Sequence, residues 1–248
     1  MRYAIWVLVM TASAAACSGR ERGAADAQAR RSAGGNGAQP AAAGPSTGAA
    51  AHSSERTILF VGTSLTAGLG LDPDEAYPAL IARKVDSLGL SYQVVNAGVS
   101  GETSADAVRR LGWLLKQPLD VFVLETGAND GLRGLSVDSM RANIAQIIDQ
   151  VRTTHPAARI LLVGMEAPPN MGPGYAAAFH RAYPEIARAK GVALVPFLLA
   201  GVAGVDTLNQ RDGIHPNPRG AQIVADNVWK VLSGLLIPPA KGAASASP

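Results

Sequence analysis

Residues 58–65 read ILFVGTSL, a run of large apolar residues that ends in glycine, threonine and serine. A short run rich in Ile, Val and Phe and bounded by glycine is typical of a strand buried on both faces. A serine at the point where a strand gives way to a helix is exposed at the edge of the sheet, where the helix N-terminus favours developing negative charge. The stretch therefore predicts the first strand and a candidate nucleophile, Ser64, although the same serine could be a plain helix N-cap.

The strand-like pattern recurs four times downstream, and helix-like segments separate the runs. The apolar runs cover Ile58–Val61, Gln93–Val95, Val121–Glu125, Ile160–Val163 and Ala193–Val195. The helical candidates are Tyr77–Leu88, Ser104–Lys116, Val137–Thr154, Tyr175–Ala189 and Pro218–Leu232. This alternation predicts an α/β fold, a five-stranded parallel sheet covered by helices on both faces. Ligands bind at the carboxyl ends of the strands in such sheets, and the polar clusters of this sequence fall there.

The distribution of charge argues against a nucleic-acid partner. The 248-residue chain is 48% hydrophobic and carries a net charge of +3. Before Thr57, six Lys and Arg residues outnumber three acidic residues, which leaves 16 residues of each sign in the remainder. The excess positive charge therefore belongs to the N-terminal segment, and the rest of the chain is neutral. A neutral domain lacks the basic surface that binds a polyanion.

The first 17 residues have the features of an export signal. Arg2 supplies a positive charge, Ile5–Met10 are apolar, and Ser13–Ala16 are small. The apolar run is short for a membrane-spanning helix. Cys17, the only cysteine, follows three alanines and resembles the lipobox cysteine of bacterial lipoproteins, with Ala14 where leucine is usual. We therefore predict a signal peptide with lipidation at Cys17, whereas an ordinary cleaved signal followed by an incidental cysteine is the alternative.

Composition divides the rest of the chain into three segments. Residues 18–56 consist mainly of small and polar residues that cannot bury enough apolar surface to offset their ordering entropy, so we predict a disordered tether. Residues 57–236 contain the alternating pattern and form the predicted α/β domain. Residues 237–248 resemble the tether in composition and are predicted to be a disordered tail.

The stretch DGIHP at residues 212–216, just before the last predicted helix, offers partners for a serine nucleophile. Such a nucleophile needs a base to take its proton, and the base needs a carboxylate to fix its tautomer. Asp212 and His215 are three residues apart, so a turn can bring carboxylate and ring together. A turn followed by a histidine that caps or packs is the alternative. The remaining histidines lie in the N-terminal segment, a His-Pro turn and a helical pattern: His52, His155 and His180.

The loops after the second and third predicted strands offer hydrogen-bond donors for a developing oxyanion. Gly101, in the stretch NAGVSGET of residues 96–103, lets a backbone N–H come close to a ligand. Asn129, in ETGANDG of residues 125–131, offers a side-chain amide. Each stretch alone is equally typical of a tight turn between a strand and a helix.

Two other loop motifs and a metal site are excluded by the residues present. A P-loop requires a lysine that is missing after Gly62, and the α/β-hydrolase elbow requires glycine at position 66, which is threonine. Histidine, cysteine and acidic residues nowhere have the spacing of metal ligands. We therefore expect no metal, and a serine nucleophile assisted by a base and a carboxylate needs no cofactor.

Together the four segments resemble the SGNH/GDSL hydrolases, in which Ser, Gly, Asn and His occur in this order. The likeness runs from about Ile58 to Leu232 and is most specific at GANDGLRG, residues 127–134, and at residues 212–216. It is closest to the bacterial thioesterase I/lysophospholipase group and its arylesterase relatives. The resemblance implies a flavodoxin-like three-layer α/β/α sandwich, in agreement with the alternation of strands and helices.

The resemblance also implies the roles of the candidate residues. Ser64 is the expected nucleophile, and His215 is the expected base, oriented by Asp212. The N–H groups of Ser64 and Gly101 and the Asn129 amide form the expected oxyanion hole.

One residue departs from the family motif. The family's Gly-Asp-Ser-Leu reads GTSL at residues 62–65. Since the aspartate that Thr63 replaces is neither nucleophile nor triad acid, we expect the chemistry to survive. The hydrogen bonding beneath the serine is what we expect to differ.

The implied activity is that of a serine esterase or thioesterase that hydrolyses acyl esters through an acyl-enzyme on Ser64. We expect a monomer that is held by Cys17 on the periplasmic face of a bacterial membrane, or a soluble periplasmic protein if that cysteine is not lipidated. A carbohydrate deacetylase of the same fold and a catalytically silent lipid-binding lipoprotein are the alternatives. Apolar residues near the candidate site favour an acyl chain, although core or loop packing is an equal alternative for them: Leu65, Leu69, Leu71, Leu132, Leu135 and Met171.

Overall fold

The computed structural model describes residues 56–236. The predicted signal peptide with Cys17, the predicted tether up to residue 55 and the predicted tail lie outside the described residues. Arg56, the last residue assigned to the tether, is instead the first residue of a strand, because its backbone continues the parallel pairing of the apolar run that follows.

The described part of the chain contains five strands and seven α-helices, with one or two α-helices after each strand. The strands are β1 (Arg56–Gly62), β2 (Tyr92–Gly98), β3 (Val121–Glu125), β4 (Arg159–Val163) and β5 (Ala193–Val195). The helices are α1 (Ser64–Ala67), α2 (Tyr77–Ser87), α3 (Ser104–Leu114), α4 (Ala128–Leu132), α5 (Val137–Thr154), α6 (Pro173–Lys190) and α7 (Pro218–Leu232). Short 3₁₀ helices cover Pro169–Met171, Asp206–Leu208 and Ser233–Leu235.

The strands form one parallel sheet in the order β2-β1-β3-β4-β5. From β1 the chain first moves outward to β2 and then returns past β1 to β3. In a sheet of this order, the chain leaves the ends of β1 and β3 in opposite directions. A crevice therefore remains between the loops that follow these two strands. The predicted ligand-binding edge therefore lies beyond Gly62 and Glu125.

Helices cover both faces of the sheet. Helices α3, α5 and α6 pack side by side in one layer, and α2 packs against α7 in the other. Buried residues recur at every third or fourth position of α5 and form its core side, with Met140, Ile144, Ile147 and Val151 fully buried. All five residues of β3 are fully buried, as expected for a central strand with helices on both faces. The predicted three-layer α/β/α sandwich with a five-stranded parallel sheet is confirmed.

The largest differences between predicted and observed elements concern short or edge segments. Helices α1 and α4, of four and five residues, are too short to show a periodic pattern, and neither was predicted. Strand β2 runs to Gly98 rather than ending at Val95, because the polar Asn96 is tolerated in an edge strand that is only half-buried. None of the helices in residues 56–236 is long and apolar enough to span a membrane.

Helix α1 approaches the end of β2 so closely that only glycine fits at position 98. A Cβ atom there would lie 2.2 Å from the backbone nitrogen of Ala67 and 2.7 Å from its Cα. We expect Gly98→Ala to lower the free energy of unfolding by about 1–3 kcal/mol, because the backbone of α1 must shift. Urea denaturation measures this change.

Gly174 provides a matched control for that substitution, because a Cβ there meets nothing within 4 Å. Gly174→Ala should be neutral or stabilise the protein by up to about 1 kcal/mol, since it restricts the unfolded chain. Equal urea midpoints for Gly98→Ala and the wild type would contradict the close approach of α1 to β2.

Candidate active site

The structure brings four of the predicted site residues to one cleft at the carboxyl edge of the sheet. Ser64 begins α1 after β1, Gly101 lies in the loop after β2, and Asn129 lies in α4 after β3. His215 comes from the loop that precedes α7. All four line a cavity of about 740 Å³. The short helices that the sequence pattern did not reveal, α1 and α4, are therefore the elements that position Ser64 and Asn129.

Ser64, His215 and Asp212 form a continuous chain of hydrogen bonds. Ser64 Oγ lies 2.8 Å from Nε2 of His215, although 151 residues separate the two. Nδ1 of His215 lies 2.6 Å from Oδ2 of Asp212. Since the carboxylate accepts the proton on Nδ1, Nε2 is left unprotonated in the neutral ring and can accept the serine proton.

The turn that contains Asp212 also fixes the orientation of its carboxylate. Oδ1 of Asp212 accepts the backbone N–H groups of Ile214 and His215 at 2.9 and 3.0 Å. Gly213 between them has φ +71°, a conformation that L side chains rarely adopt. The hydrogen bond from the His215 ring, and then the two backbone N–H groups, lower the pKa of Asp212 to about 2. The carboxylate therefore stays ionised at neutral pH.

Gln210 ties the histidine loop to the serine loop. Its side-chain amide donates to the carbonyl oxygens of Leu69 at 2.7 Å and Pro216 at 3.0 Å. Its backbone N–H donates to the carbonyl of His215 at 2.7 Å. This role could not be predicted from the sequence, because a single glutamine in a loop has no characteristic spacing.

The loop that carries Gly101 is held by two long-range hydrogen bonds. Arg133 donates to the carbonyl of Gly101 at 2.9 Å, and Asn129 Nδ2 donates to the carbonyl of Glu102 at 2.9 Å. Gly101 has φ +80°. The side chain of Glu102 is buried and paired with Arg110. The Asn129 amide uses one of its two N–H bonds in this way, and the other is available for a ligand in the cleft.

Asp130, the neighbour of Asn129, anchors α4 to the start of α3. Its buried carboxylate accepts the backbone N–H of Ser104 at 2.8 Å and the hydroxyl of the same residue at 2.6 Å. The side chain of Asn143 donates to that hydroxyl from α5 at 2.9 Å. Asn129 is therefore carried by a helical turn that is fixed by hydrogen bonds on both sides.

Thr63, the residue that departs from the family motif, points away from the cleft and into the protein. It is fully buried, and it donates both its backbone N–H and its hydroxyl to the carboxyl group of Glu125. The hydrogen bonding beneath the serine is therefore built on a buried glutamate. The sequence pattern placed Glu125 at the end of an apolar strand without a role. The signal that could have indicated its role is a charged residue at the end of a wholly apolar run.

Apolar side chains form most of the wall of the cleft. Of the residues singled out in the sequence, Leu65, Leu69 and Leu132 line it. Leu71 instead borders an adjoining hollow of about 10 Å³. Leu135 and Met171 are not part of the lining. The loops after β4 and β5 add lining residues that no motif indicated, namely Met165, Phe197 and Leu199. Ile214 lines the cleft from within the stretch DGIHP, beside the predicted base.

The other histidines within residues 56–236 have different partners. Nε2 of His155 lies 3.0 Å from the carbonyl of Leu115, and Nδ1 of His180 lies 2.6 Å from Glu166 on an exposed surface. Neither histidine contacts a serine. No group of three or more His, Cys, Asp and Glu side chains in the described segment could hold a metal ion.

Comparisons with known proteins identify relatives over the same part of the chain. The model of the GDSL-like Lipase/Acylhydrolase family matches residues 60–223. Esterase TesA of Pseudomonas aeruginosa is 42% identical over 73% of this chain and 90% of that protein. Thioesterase 1/protease 1/lysophospholipase L1 of Escherichia coli K12 is 38% identical over 73% of this chain and 85% of its own length.

A solved structure agrees with these relatives. The crystal structure of TesA superimposes with a TM-score of 0.69 at 42% sequence identity, and the match covers 73% of this chain and all of that one. Sequence, fold and the order of the residues around the cleft lead to the same assignment. The chain belongs to the GDSL-like lipase/acylhydrolase family, which confirms the resemblance found in its motifs.

Proposed function

We propose that this chain hydrolyses acyl esters or thioesters through an acyl-enzyme on Ser64. The general class, a serine esterase or thioesterase of the GDSL family, is confirmed by the relatives of the chain. The observation that carries the residue assignment is the hydrogen-bonded chain from Ser64 through His215 to Asp212 at the wall of the cleft. A catalytically silent lipid-binding protein would have no use for this arrangement.

The geometry supports the following course of acylation. Nε2 of His215 takes the proton of Ser64 as Oγ attacks the carbonyl carbon of the substrate. The ionised Asp212 stabilises the imidazolium that forms. The N–H groups of Ser64 and Gly101 and the Asn129 amide donate to the oxygen that becomes negative. Collapse of the tetrahedral species expels the alcohol or thiol, which takes its proton from His215.

Hydrolysis of the acyl-enzyme uses the same groups in the opposite direction. A water molecule at the cleft gives a proton to His215 and attacks the acyl carbonyl, and the oxyanion donors act a second time. Release of the carboxylic acid returns the proton to Ser64. This cycle requires no group beyond the side chains and N–H groups named.

The lining of the cleft favours an acyl chain over a sugar. Leu69, Leu132, Met165, Phe197 and Ile214 present carbon rather than hydrogen-bonding groups. A carbohydrate deacetylase would need polar side chains that replace water around the sugar hydroxyls, since unpaired polar groups are costly to desolvate. We therefore prefer esters and thioesters of apolar acids to acetylated sugars as substrates.

Removal of a triad member should abolish most turnover. We expect Ser64→Ala and His215→Ala each to lower kcat by about 10⁴-fold or more, because triad residues act as a unit. Asp212→Asn should cost less than the serine but still orders of magnitude, because the wrong imidazole tautomer becomes available. Initial rates with p-nitrophenyl esters and labelling by a fluorophosphonate measure these losses.

His155 gives a control for the removal of an imidazole, because its ring lies against the carbonyl of Leu115, a residue that does not line the cleft. His155→Ala should retain wild-type turnover. Full activity of Ser64→Ala would end the assignment of the nucleophile.

Asn129 should act on the transition state. We expect Asn129→Ala to lower kcat by about 10²–10³-fold with KM little changed, because the donor acts on charge that exists only in the transition state. Thermal unfolding of the variant should be recorded beside its kinetics, since the same amide also holds the carbonyl of Glu102. A change in KM alone would assign Asn129 to substrate binding instead.

We further propose that the protein is exported, with Cys17 as the lipidated first residue of the mature chain. The support is the order of charge, apolar run and small residues in positions 1–17. The proposed protein is a monomer on the periplasmic face of a bacterial membrane.

Cys17→Ser should release the protein from the membrane fraction without changing its turnover. Lipoprotein processing adds several acyl chains, and each buried CH₂ contributes about 0.8 kcal/mol to membrane binding. Catalysis should be unaffected because 46 residues lie between Cys17 and Ser64. Partition into detergent and fractionation of cells test this result, and equal solubility of wild type and variant would contradict lipidation while leaving the hydrolase assignment intact.

A further inference from the structure

Glu125 is a fully buried carboxyl group that has no part in the triad or the oxyanion hole. It accepts the backbone N–H of Thr63 at 2.7 Å and the hydroxyl of Thr63 at 3.0 Å. The hydroxyl of Thr66 donates to the same carboxyl at 2.8 Å. Burial raises the pKa of Glu125, and these hydrogen bonds oppose that rise.

The donors to Glu125 flank the proposed nucleophile. Thr63 directly precedes Ser64, and Thr66 follows it by two residues. Beyond Thr66 the network continues to the hydroxyl of Tyr77 in α2, at 2.8 Å. Gly62 leaves the space for this approach, because a Cβ atom there would lie 2.6 Å from Oε2 of Glu125. Thr63 and Thr66, on either side of the serine, therefore both donate hydrogen bonds to one carboxyl group.

The carboxyl continues the pairing of β1 and β3 beyond the last pair of residues in their ladder. The parallel register of these two strands ends with Val61 opposite Leu124. Two residues further on, just after the end of β1, Thr63 hydrogen-bonds to the side chain of Glu125, the last residue of β3. Four residues after Glu125, the same segment supplies Asn129.

We propose that Glu125 and Thr63 are a positioning pair that holds the Ser64 nucleophile in register with the Asn129 amide. The proposal rests on the roles assigned to those two residues above. The path from nucleophile to oxyanion donor runs through the peptide bond between Thr63 and Ser64, one side-chain contact, and the four residues that follow Glu125 up to Asn129. A shift of either partner therefore changes the distance between Oγ of Ser64 and the oxyanion donors directly.

Thr63 makes this pair different from that of the family motif. An aspartate at position 63 would place a second carboxyl close to Glu125, and two carboxyls at such a distance cannot both ionise. They would have to share a proton to remain in contact. The threonine hydroxyl brings a proton of its own, so the contact with Glu125 forms without a second acidic group.

A loss of register should appear in kcat rather than in KM. The oxyanion exists only in the transition state, and a misplacement of about 1 Å can cost about 10²-fold in rate. Leu65, Leu69 and Leu132 line the cleft from the segments that carry Ser64 and Asn129. The loops after β4 and β5 supply Met165, Phe197 and Leu199, so this part of the wall that holds the acyl chain should be unaffected. A merely structural role would instead lower the unfolding temperature and leave the kcat of the folded enzyme unchanged.

The test compares three substitutions in the full-length chain. Thr63→Val keeps the shape of the side chain and removes the hydroxyl, whereas Thr63→Ser keeps the hydroxyl. Thr126→Val is the matched control, because Thr126 is also fully buried and follows Glu125, but its hydroxyl has no hydrogen-bond partner within the described residues. Initial rates with p-nitrophenyl butyrate, the rate of fluorophosphonate labelling and thermal unfolding are measured for each.

We expect Thr63→Val to lower kcat and the labelling rate by about 10–100-fold with KM within about twofold of wild type. Thr63→Ser should restore most of the rate, and Thr126→Val should retain all of it. Glu125→Leu removes both acceptor oxygens and should reduce kcat at least to a similar degree, and the double variant should be no slower than Glu125→Leu alone, since the contact with Thr63 is already lost there. If Glu125→Leu does not fold, the two Thr63 variants decide the question.

Wild-type kcat in Thr63→Val would overturn the pairing. So would equal losses of kcat in Thr63→Val and Thr126→Val, since only the first has a hydrogen bond to lose. The nucleophile itself is tested separately by Ser64→Ala. A dead Ser64→Ala with a fully active Thr63→Val refutes the positioning pair alone, whereas an active Ser64→Ala refutes the proposed function.

Discussion

Parallel pairing of β1 with β3 places the ends of two strands side by side at the centre of the sheet, and the chain leaves them in opposite directions. From β1 it continues toward the edge strand β2, and from β3 it continues toward β4 and β5. The crevice between the diverging loops is a consequence of this order and needs no special residue. Ser64 and Asn129 occupy its two sides because each is among the first residues after its strand. The sheet order thus determines where a nucleophile and an oxyanion donor can face each other.

Precision at the crevice comes from polar groups that are buried beneath it. The carboxyl groups of Glu125, Asp130 and Glu102 are all nearly or fully buried, and each has hydrogen-bond or ionic partners on a neighbouring segment. A buried carboxyl left without such partners would destabilise the fold by several kcal/mol. Because these groups cannot lose their partners cheaply, the loops they join have few alternative conformations. The cost of leaving a buried carboxyl group without hydrogen-bond partners therefore gives the loops around the site a defined geometry.

The sequence predicted the long elements well because their signals are local. The bounds of β3, β5, α5 and α7 are those expected, since continuous apolar runs and helical periodicity determine them. Helices α1 and α4 were not predicted, because each is only about one turn long and shows no periodic pattern. Tertiary contacts such as those of Thr63 and Asp130 determine where they form. Likewise, Met165, Phe197 and Ile214 reach the cleft from three loops that no spacing relates. Leu135 was expected near the acyl chain from its neighbourhood in sequence, but it does not line the cleft.

The triad combines one short-range contact with one long-range contact, and the two place different demands on the fold. Asp212 and His215 lie on a single turn, so their contact is determined by four residues and the backbone freedom of Gly213. The contact between Ser64 and His215 spans 151 residues and depends on the loops around it. Gln210 makes that contact depend on fewer residues, because its side chain hydrogen-bonds the histidine loop to the carbonyl of Leu69, five residues after the serine. The distance between Ser64 and His215 is therefore set by a hydrogen bond between the two loops that carry them. The rest of the sheet has only to bring those loops within hydrogen-bonding distance of each other.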